Sequence, residues 1–545
     1  MRKGRLAAIV AAPMAVALLA TGCGGGGGGA SEDGVITVNT TEPENPLVPG
    51  NTTETGGGKV VDALFTGLMR YSPDDGTAQM AHAESITPSE NNTKFTVKLK
   101  PDWTFHDGTP VTAENYVRAW NYNAYGPNGM STESFFSNIQ GYEQVTSEDP
   151  DGDDGPQQAP QPQAEQMSGL QVVDQNTFEV TLSEPFASFP ITLGYSAFSP
   201  LPNSFFENKE AFEENPIGNG PFRFESREPN TDIRVRAFDE YKGDDKPSIR
   251  GVDFIVYNEL EGAYQDVISG NLDFVEQVPP SALVDEKWRQ DLGDRALEKK
   301  ALLNTALDFP LYDQKYQDPK VRKAISLAIN REEIAQQVFN GSRTPATGYV
   351  PEGLPGYETG ACGEACEFNP ERAKQLMSET NFQGPVTISS NADGGHKEWI
   401  DAVCGNIRNN LGLECGFNPV PTFSEFLTMH KEKAHTGPFR FGWVADYPSP
   451  ETFLAKIYKT GASSNYKDYS NPAFDQKVNE ANAASTVEEA NALYREAEQI
   501  LVEDMPSIPL FDQSAQAGHS ERLTNVKVTP FRELDLASVR LTEQQ

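Results

Sequence analysis

The stretch FRFGWVADYPSPETFL, residues 439–454, sets an arginine, a tryptophan and an aspartate between an apolar run and a proline-broken turn. Arg440 and Asp446 stand six residues apart, a cation and an anion in a segment otherwise suited to burial. Such a pair can meet the two charged ends of something small. A guanidinium fork takes a carboxylate through two parallel hydrogen bonds, and a fixed carboxylate neutralises an ammonium. The structural alternatives are plain: Asp446 capping the turn at DYPSP, Arg440 facing outward beside a surface acid, Trp443 as core. No nucleophile elbow, P-loop, dinucleotide fingerprint or HExxH motif occurs, and the six histidines are scattered singly.

Other reactive side chains are sparse. DPDGDD, residues 149–154, has the acidity of a calcium loop but lacks the glycine at its sixth place and the closing glutamate. CGEAC, residues 362–366, has no partner cluster of cysteine or histidine, which argues against zinc. No metal site and no cofactor are expected. Four cysteines remain after the first, at 362, 366, 404 and 415. Three pairings are possible, and the two local ones, Cys362 with Cys366 and Cys404 with Cys415, are favoured in an oxidising compartment.

That compartment is set by the start of the chain. MRKGR is basic, LAAIVAAPMAVALLA is a short apolar stretch, and ATGC closes it at Cys23. This reads as a secretion signal, too short to span a bilayer. Its ending resembles a lipobox, with Ala20 where leucine is usual, so residues 1–22 are expected to be removed and Cys23 to be acylated. The alternative is an ordinary cleaved signal with an incidental cysteine. Gly24 to Gly29 would then open a tether, residues 23–34, reaching roughly 15–20 Å. The protein is expected at the outer face of a bacterial membrane, or in a periplasm, held by lipid alone. A formal charge of −35, from 79 acidic and 44 basic residues, excludes nucleic acid as a natural partner.

At 545 residues the chain exceeds what one core accommodates, so two or three domains are expected. KFTVKLK, 94–100, alternates apolar and basic residues as a half-exposed strand, and TFEVTL, 177–182, repeats the pattern. Between them lies the acidic, Pro- and Gln-rich insertion 147–166. DPKVRKAISLAIN, 318–330, predicts a helix with Asp318 as N-cap and proline in first position. TVEEANALYREAEQILVED, 486–504, predicts another, opened by a Thr486–Glu489 capping box. KEWIDAVCGNIRNNLG reads as a helix, and PVTISS (385–390) and ECGFNPV (414–420) as strands. The alternation indicates an α/β fold with mixed sheets.

Several segments, in order, resemble the solute-binding proteins of ABC importers for oligopeptides and dipeptides. They are WTFHDGTPVTAENYVRAW (103–120), PIGNGPFRFES (216–226), NLDFVEQVPP (271–280), PKVRKAISLAINREEIAQQVFNG (319–341), YSNPAFDQKVNEAN (469–482) and LYREAEQILVEDMPSIPLF (493–511). Each is weak alone; the ordered set covers most of residues 35–530. The resemblance implies a bilobed periplasmic-binding-protein-like fold (type II), two α/β lobes joined by a two-segment hinge. Lobe 1 would comprise 35–60, 190–303 and 507–545, with an extra subdomain at 61–189, and lobe 2 would be 304–506. The opening stretch is similar to the oligopeptide-binding members. There the aspartate salt-bridges the peptide's α-ammonium and the arginine can meet its carboxylate, which implies those roles for Asp446 and Arg440. Gly442 and Trp443 match the accompanying glycine–tryptophan pair, Trp443 as a pocket wall. His396, in DGGHKEW, stands where a histidine can approach the far end of the peptide.

The resemblance thus implies a non-catalytic monomer that captures short peptides and hands them to an ABC permease. The alternatives are the same fold with a nickel complex, haem, oligosaccharide or opine as cargo, or a secreted hydrolase with dispersed carboxylates. One departure bears on peptide length. GGGKVVDALFTGLM brings three glycines, Gly56 to Gly58, where the family often has larger residues, either for close backbone approach to ligand or as a looser loop.

Overall fold

The architecture is taken from a computed structural model that describes residues 34–146 and 160–542. The leader, Cys23, its tether and the DPDGDD run lie outside the described residues.

A single mixed sheet of eleven strands runs through the molecule. From one edge its order is Cys415–Val420, Val386–Asn391, Phe439–Val444, Ala296–Asp308, Ser507–His519, Phe274–Val275, Val35–Thr40, Gly251–Val256, Asp232–Ala237 and Phe222–Glu228. Arg343–Pro345 adds to Ser507–His519. Val35–Thr40 is parallel to Gly251–Val256, and Val386–Asn391 to Cys415–Val420, whereas the two central strands are antiparallel. These two, Ala296–Asp308 and Ser507–His519, are each thirteen residues long and carry the chain from one half of the molecule to the other. Their register slips between Lys300 and Asn304 and again between Thr305 and Ala306. A slip of this kind leaves residues out of the ladder and bends the strand locally.

Two large apolar cores flank the crossing pair. One joins the N-terminal strand (Ile36, Val38), the helix Thr55–Leu64, the strands near residue 250 and the C-terminal Leu523, Val528 and Val539. It also takes in a separate antiparallel sheet ordered Ala83–Ser89, Lys94–Leu99, Thr177–Thr181, Leu170–Asp174. The other core gathers residues of 302–511 together with Ala263, Tyr264 and Val267 of the helix Leu260–Ser269. The fold is the α/β bilobed class expected from the sequence.

Local elements follow the side chains that begin them. Pro319–Leu327 starts at Asp318, whose carboxylate accepts from Lys320 N. Val487–Asp504 starts at Thr486, whose hydroxyl accepts from Glu489 N at 3.2 Å, while the Glu489 carboxylate reaches back to Ser485 N. Sulfurs of Cys362 and Cys366 are bonded, as are those of Cys404 and Cys415, the second pair tying helix Lys397–Leu411 to the strand after it. The three glycines form the first turn of helix Thr55–Leu64, capped by the Glu54 carboxylate at Gly57 N. A Cβ at Gly56 would lie 2.4 Å from Thr41 Oγ1 and one at Gly57 2.4 Å from Glu54, so both are required by packing; Gly58 faces open space.

The GNG of residues 218–220 is also structural. Asn219 is buried and pairs with Thr66 through both amide atoms, mimicking a strand neighbour. A Cβ at Gly218 would sit 1.9 Å from Leu64 O. This clamps the end of helix Thr55–Leu64 and positions the Phe65–Tyr71 segment that borders the site described next.

Candidate functional site

A cavity of about 370 Å³ opens between the two halves. The strand Phe439–Val444 forms one wall, paired antiparallel to the first crossing strand with Leu307 opposite Arg440 and Asn304 opposite Trp443. Phe439 and Phe441 are buried in the packing beneath. Since strand side chains alternate, Arg440, Gly442 and Val444 fall on the opposite face. They line the cavity together with Trp443 and with Asp446, which stands in the bend just past the strand. Both charges of this largely apolar segment thus reach the one cavity, Arg440 from the strand and Asp446 from the bend after it.

Asp446 follows Ala445, whose N–H continues the ladder to Leu302 O at 2.8 Å. Its carboxylate accepts from Thr452 Oγ1, at the start of helix Glu451–Tyr458, and the Tyr195 hydroxyl from the opposite wall approaches it. No cation pairs with it among the described residues. Burial, only partly offset by the Thr452 bond, pushes its pKa up to about 7. Trp443 donates from Nε1 to Thr452 Oγ1 at 3.0 Å and stacks on Phe441 with ring centres 5.9 Å apart. It is half-buried, part core and part cavity wall.

The Arg440 guanidinium lies back along its own strand. A Cβ on Gly442 would meet Arg440 Nη2 at 2.7 Å, so the glycine clears the path for the side chain. Arg440 has no ion-pair partner among the described residues. Burial lowers its pKa to about 10, with Arg532 adding to the effect. His396 is outside this cavity and lines two smaller ones that adjoin Arg440. Its Nδ1 accepts from Trp399 Nε1 at 3.2 Å, which leaves the ring proton on Nε2. Burial, with Arg440, Arg343 and Arg532 near, holds its pKa well below the ordinary value, so the ring is neutral.

Four cavity residues escaped the sequence reading: Asp62, Glu533, Arg343 and Arg532. Asp62 and Glu533 border both the main cavity and a second one of about 360 Å³ set deeper in the first half. Burial raises the pKa of each, and Asp62 raises that of Glu533 further. Glu276 stands nearby, ion-paired with Lys59. Nothing local marked these positions. They sit in ordinary helix, short-strand and turn sequence, and the turn Thr529–Glu533 reaches the cavity only because the C-terminal segment folds back, with Leu302 N bonded to Pro530 O at 2.8 Å. The cleft therefore has an acidic region at Asp446 and Asp62 and a basic one at Arg440, Arg343 and Arg532, with volume between and beside them.

Residues 77–465 match the model of the bacterial extracellular solute-binding proteins, family 5. The chain is 26% identical over 468 residues to the periplasmic murein peptide-binding protein MppA of Escherichia coli, covering 83% of each. The solved structure of the Escherichia coli murein tripeptide binding protein superposes with a TM-score of 0.82 at 22% identity, over 94% of this chain and 99% of that one. Its unliganded open form scores 0.64 at 23% identity, over 94% and 98%. The Haemophilus influenzae OppA complex with RPPGFSPFR scores 0.80 at 20% identity, over 93% and 99%. The family match spans well over half the chain and takes in the strand Phe439–Val444 and the first crossing strand: the protein is a member of family 5 of the bacterial extracellular solute-binding proteins.

Proposed function

We propose that the protein captures short peptides in the interlobe cleft and delivers them to an ABC permease, with Asp446 taking the α-ammonium and Arg440 the carboxylate end. The observation that carries this reading is that two half-buried groups of opposite charge type, one at each end of the segment 440–446, line one cavity and have no ion-pair partner among the described residues. Enclosing a zwitterion strands both its ends unless each is matched. The murein peptide and oligopeptide ligands in the names of its relatives support the same class. A sugar or haem would give Asp446 nothing cationic to meet.

Six residues of strand span roughly 20 Å, and the reach of Arg440 shortens the gap, so an extended peptide of about three to five residues fits. Side chains between the ends would occupy the second cavity and hydrated space, where water adapts to what is present. Trp443 and Gly442 shape the wall, and His396 contributes at the carboxylate end. We further propose that the monomer is acylated at Cys23 and held at the outer membrane face, and that the permease recognises the ligand-closed form. Closure is then a population shift driven by differential affinity.

Calorimetry with tri- to pentapeptides tests the anchor. Asp446→Ala is expected to cost ~2–5 kcal/mol, comparable to removing one side of a buried charge pair. That is a loss of roughly 30-fold or more in affinity. Wild-type affinity in the variant would sink the assignment. Native mass spectrometry of the co-purified ligand distinguishes a peptide ladder from a single non-peptide solute.

A further inference from the structure

Three arginines from distant parts of the chain converge at the basic end of the cleft. Arg343 comes from the short strand Arg343–Pro345, Arg440 from Phe439–Val444, and Arg532 from the turn after Thr529. All three border one small cavity of about 30 Å³, together with His396 and Gln513. Arg440, Arg532 and His396 also line the adjoining cavity of about 120 Å³, which leads toward Phe531 and Glu533 on the rim of the main one.

The donors of this cluster are largely unused. Arg343 Nε and Nη1, Arg440 Nε and Arg532 Nε are shut off from solvent and have no hydrogen-bond partner. Arg532 donates once, from Nη2 to Gln277 Oε1 at 2.7 Å. Arg343 lies over the Phe339 ring at 5.0 Å and Arg440 over Phe423 at 5.9 Å, contacts that leave the guanidinium edges free. None of the three forms an ion pair among the described residues. The acids whose charge acts on Arg440 and Arg532 are bonded elsewhere, Asp393 to Asn391 and Phe423 N and Glu276 to Lys59, while Glu533 beside Arg532 lines the adjoining cavity and forms no ion pair among the described residues. His396 adds an Nε2–H donor and no negative charge.

One α-carboxylate brings one negative charge and is satisfied by one guanidinium fork. Three half-buried guanidinium groups, each with a solvent-shielded and idle donor, exceed that need, and like charges held together away from water are costly without counter-charge. We propose that Arg343, Arg440 and Arg532 form a subsite for two neighbouring carboxylates, so that preferred ligands are peptides whose C-terminal residue carries an acidic side chain beside its α-carboxylate. This deepens the peptide-binding reading and rests on it. Arg440 takes the α-carboxylate, and Arg343 and Arg532 take the second anion.

The test compares Ala-Ala-Glu with its neutral isostere Ala-Ala-Gln, and the same pair lengthened by one and two alanines, by calorimetry on the wild-type protein. At the best length the acidic peptide is expected to bind about tenfold tighter or more, the scale of one charge-assisted contact. In Arg343→Gln and in Arg532→Gln that ratio is expected to fall toward unity. Equal binding of the two peptides by the wild type overturns the subsite while leaving peptide capture intact. Binding of none of the peptides overturns peptide capture and the subsite with it. If a variant fails to fold, the wild-type ratio alone decides, and a preference that survives in both folded variants overturns the assignment of Arg343 and Arg532.

Discussion

Asp446 gives the site a pH dependence whose sign follows from its surroundings. Its ordinary pKa is 3.8, and burial in the ligand-free fold pushes it up to about 7. Between those values the folded chain binds more protons than the unfolded one. The carboxyl's contribution to stability is therefore fully present below 3.8 and is lost as pH rises through about 7. A ligand ammonium reverses the preference, because an adjacent cation favours the carboxylate. Peptide affinity is expected to fall as pH drops from about 8 to about 5.5, with protons released on binding at the lower end. Calorimetry in buffers of different ionisation enthalpy reads that release directly, and Asp446→Asn should abolish it; a pH-independent affinity in the wild type would contradict the account. Gly442 supplies a second residue-scale prediction. In Gly442→Ala the new Cβ stands 2.7 Å from Arg440 Nη2, the far end of a flexible side chain. The guanidinium should swing away with little loss of melting temperature, while peptide affinity falls several-fold, about 1 kcal/mol. Arg440, Gly442, Trp443 and Asp446 were legible as a group because they stand together in one short stretch, FRFGWVADYPSPETFL. Arg343 and Arg532 were not, because only tertiary pairing brings them to that strand.

The two long central strands hold both halves of the site. At the far end of the pair, Asp308 and Lys467 form an ion pair at 2.9 Å with neither side chain exposed. Ser507 Oγ, which opens the second strand, donates to Asp308 Oδ1 at 2.6 Å, and the Lys467 ammonium lies over the Tyr458 and Phe441 rings. Burial raises the Asp308 pKa and lowers that of Lys467, each opposed by the other's charge. Breaking such a pair from one side leaves a lone charge in the core. Lys467→Met is expected to cost ~3–5 kcal/mol, and the double variant Asp308→Leu with Lys467→Met to recover most of that. Denaturant unfolding measures both, and a double variant worse than the sum of the singles would refute a net desolvation cost. Element starts were readable from sequence where one side chain decides them, as at Asp318 and Thr486. The continuity of the sheet across both halves was not. It depends on the pairing of two thirteen-residue strands about two hundred positions apart, with a register slip at Lys300–Asn304 that no local pattern encodes.

At the scale of the molecule, several polar contacts cross the cleft among the described residues. Lys431 pairs with Glu44 at 2.9 Å, Ser134 Oγ meets Ser463 Oγ at 3.2 Å, Asn92 Nδ2 donates to Ser485 O at 3.2 Å, and the Lys456 ammonium lies over the Phe135 ring at 4.2 Å. The exposed pairs among these contribute about 0–1 kcal/mol each, while the Lys456–Phe135 contact is buried. On the reading proposed above, a bound ligand supplies the rest of the closing free energy. The serine pair offers a direct test. Ser134 lies in the turn Glu133–Phe136, whose Phe135 and Phe136 belong to the first core, and Ser463 follows helix Glu451–Tyr458 of the second. The double substitution Ser134→Cys and Ser463→Cys puts two thiols within bridging reach only when the lobes are together. Under mild oxidation the crosslink is expected to form several-fold faster with a bound peptide than without, and once formed to trap that peptide until a reductant is added. Equal crosslinking rates with and without peptide would mean that the free chain already rests closed, and that the ligand does not drive the motion.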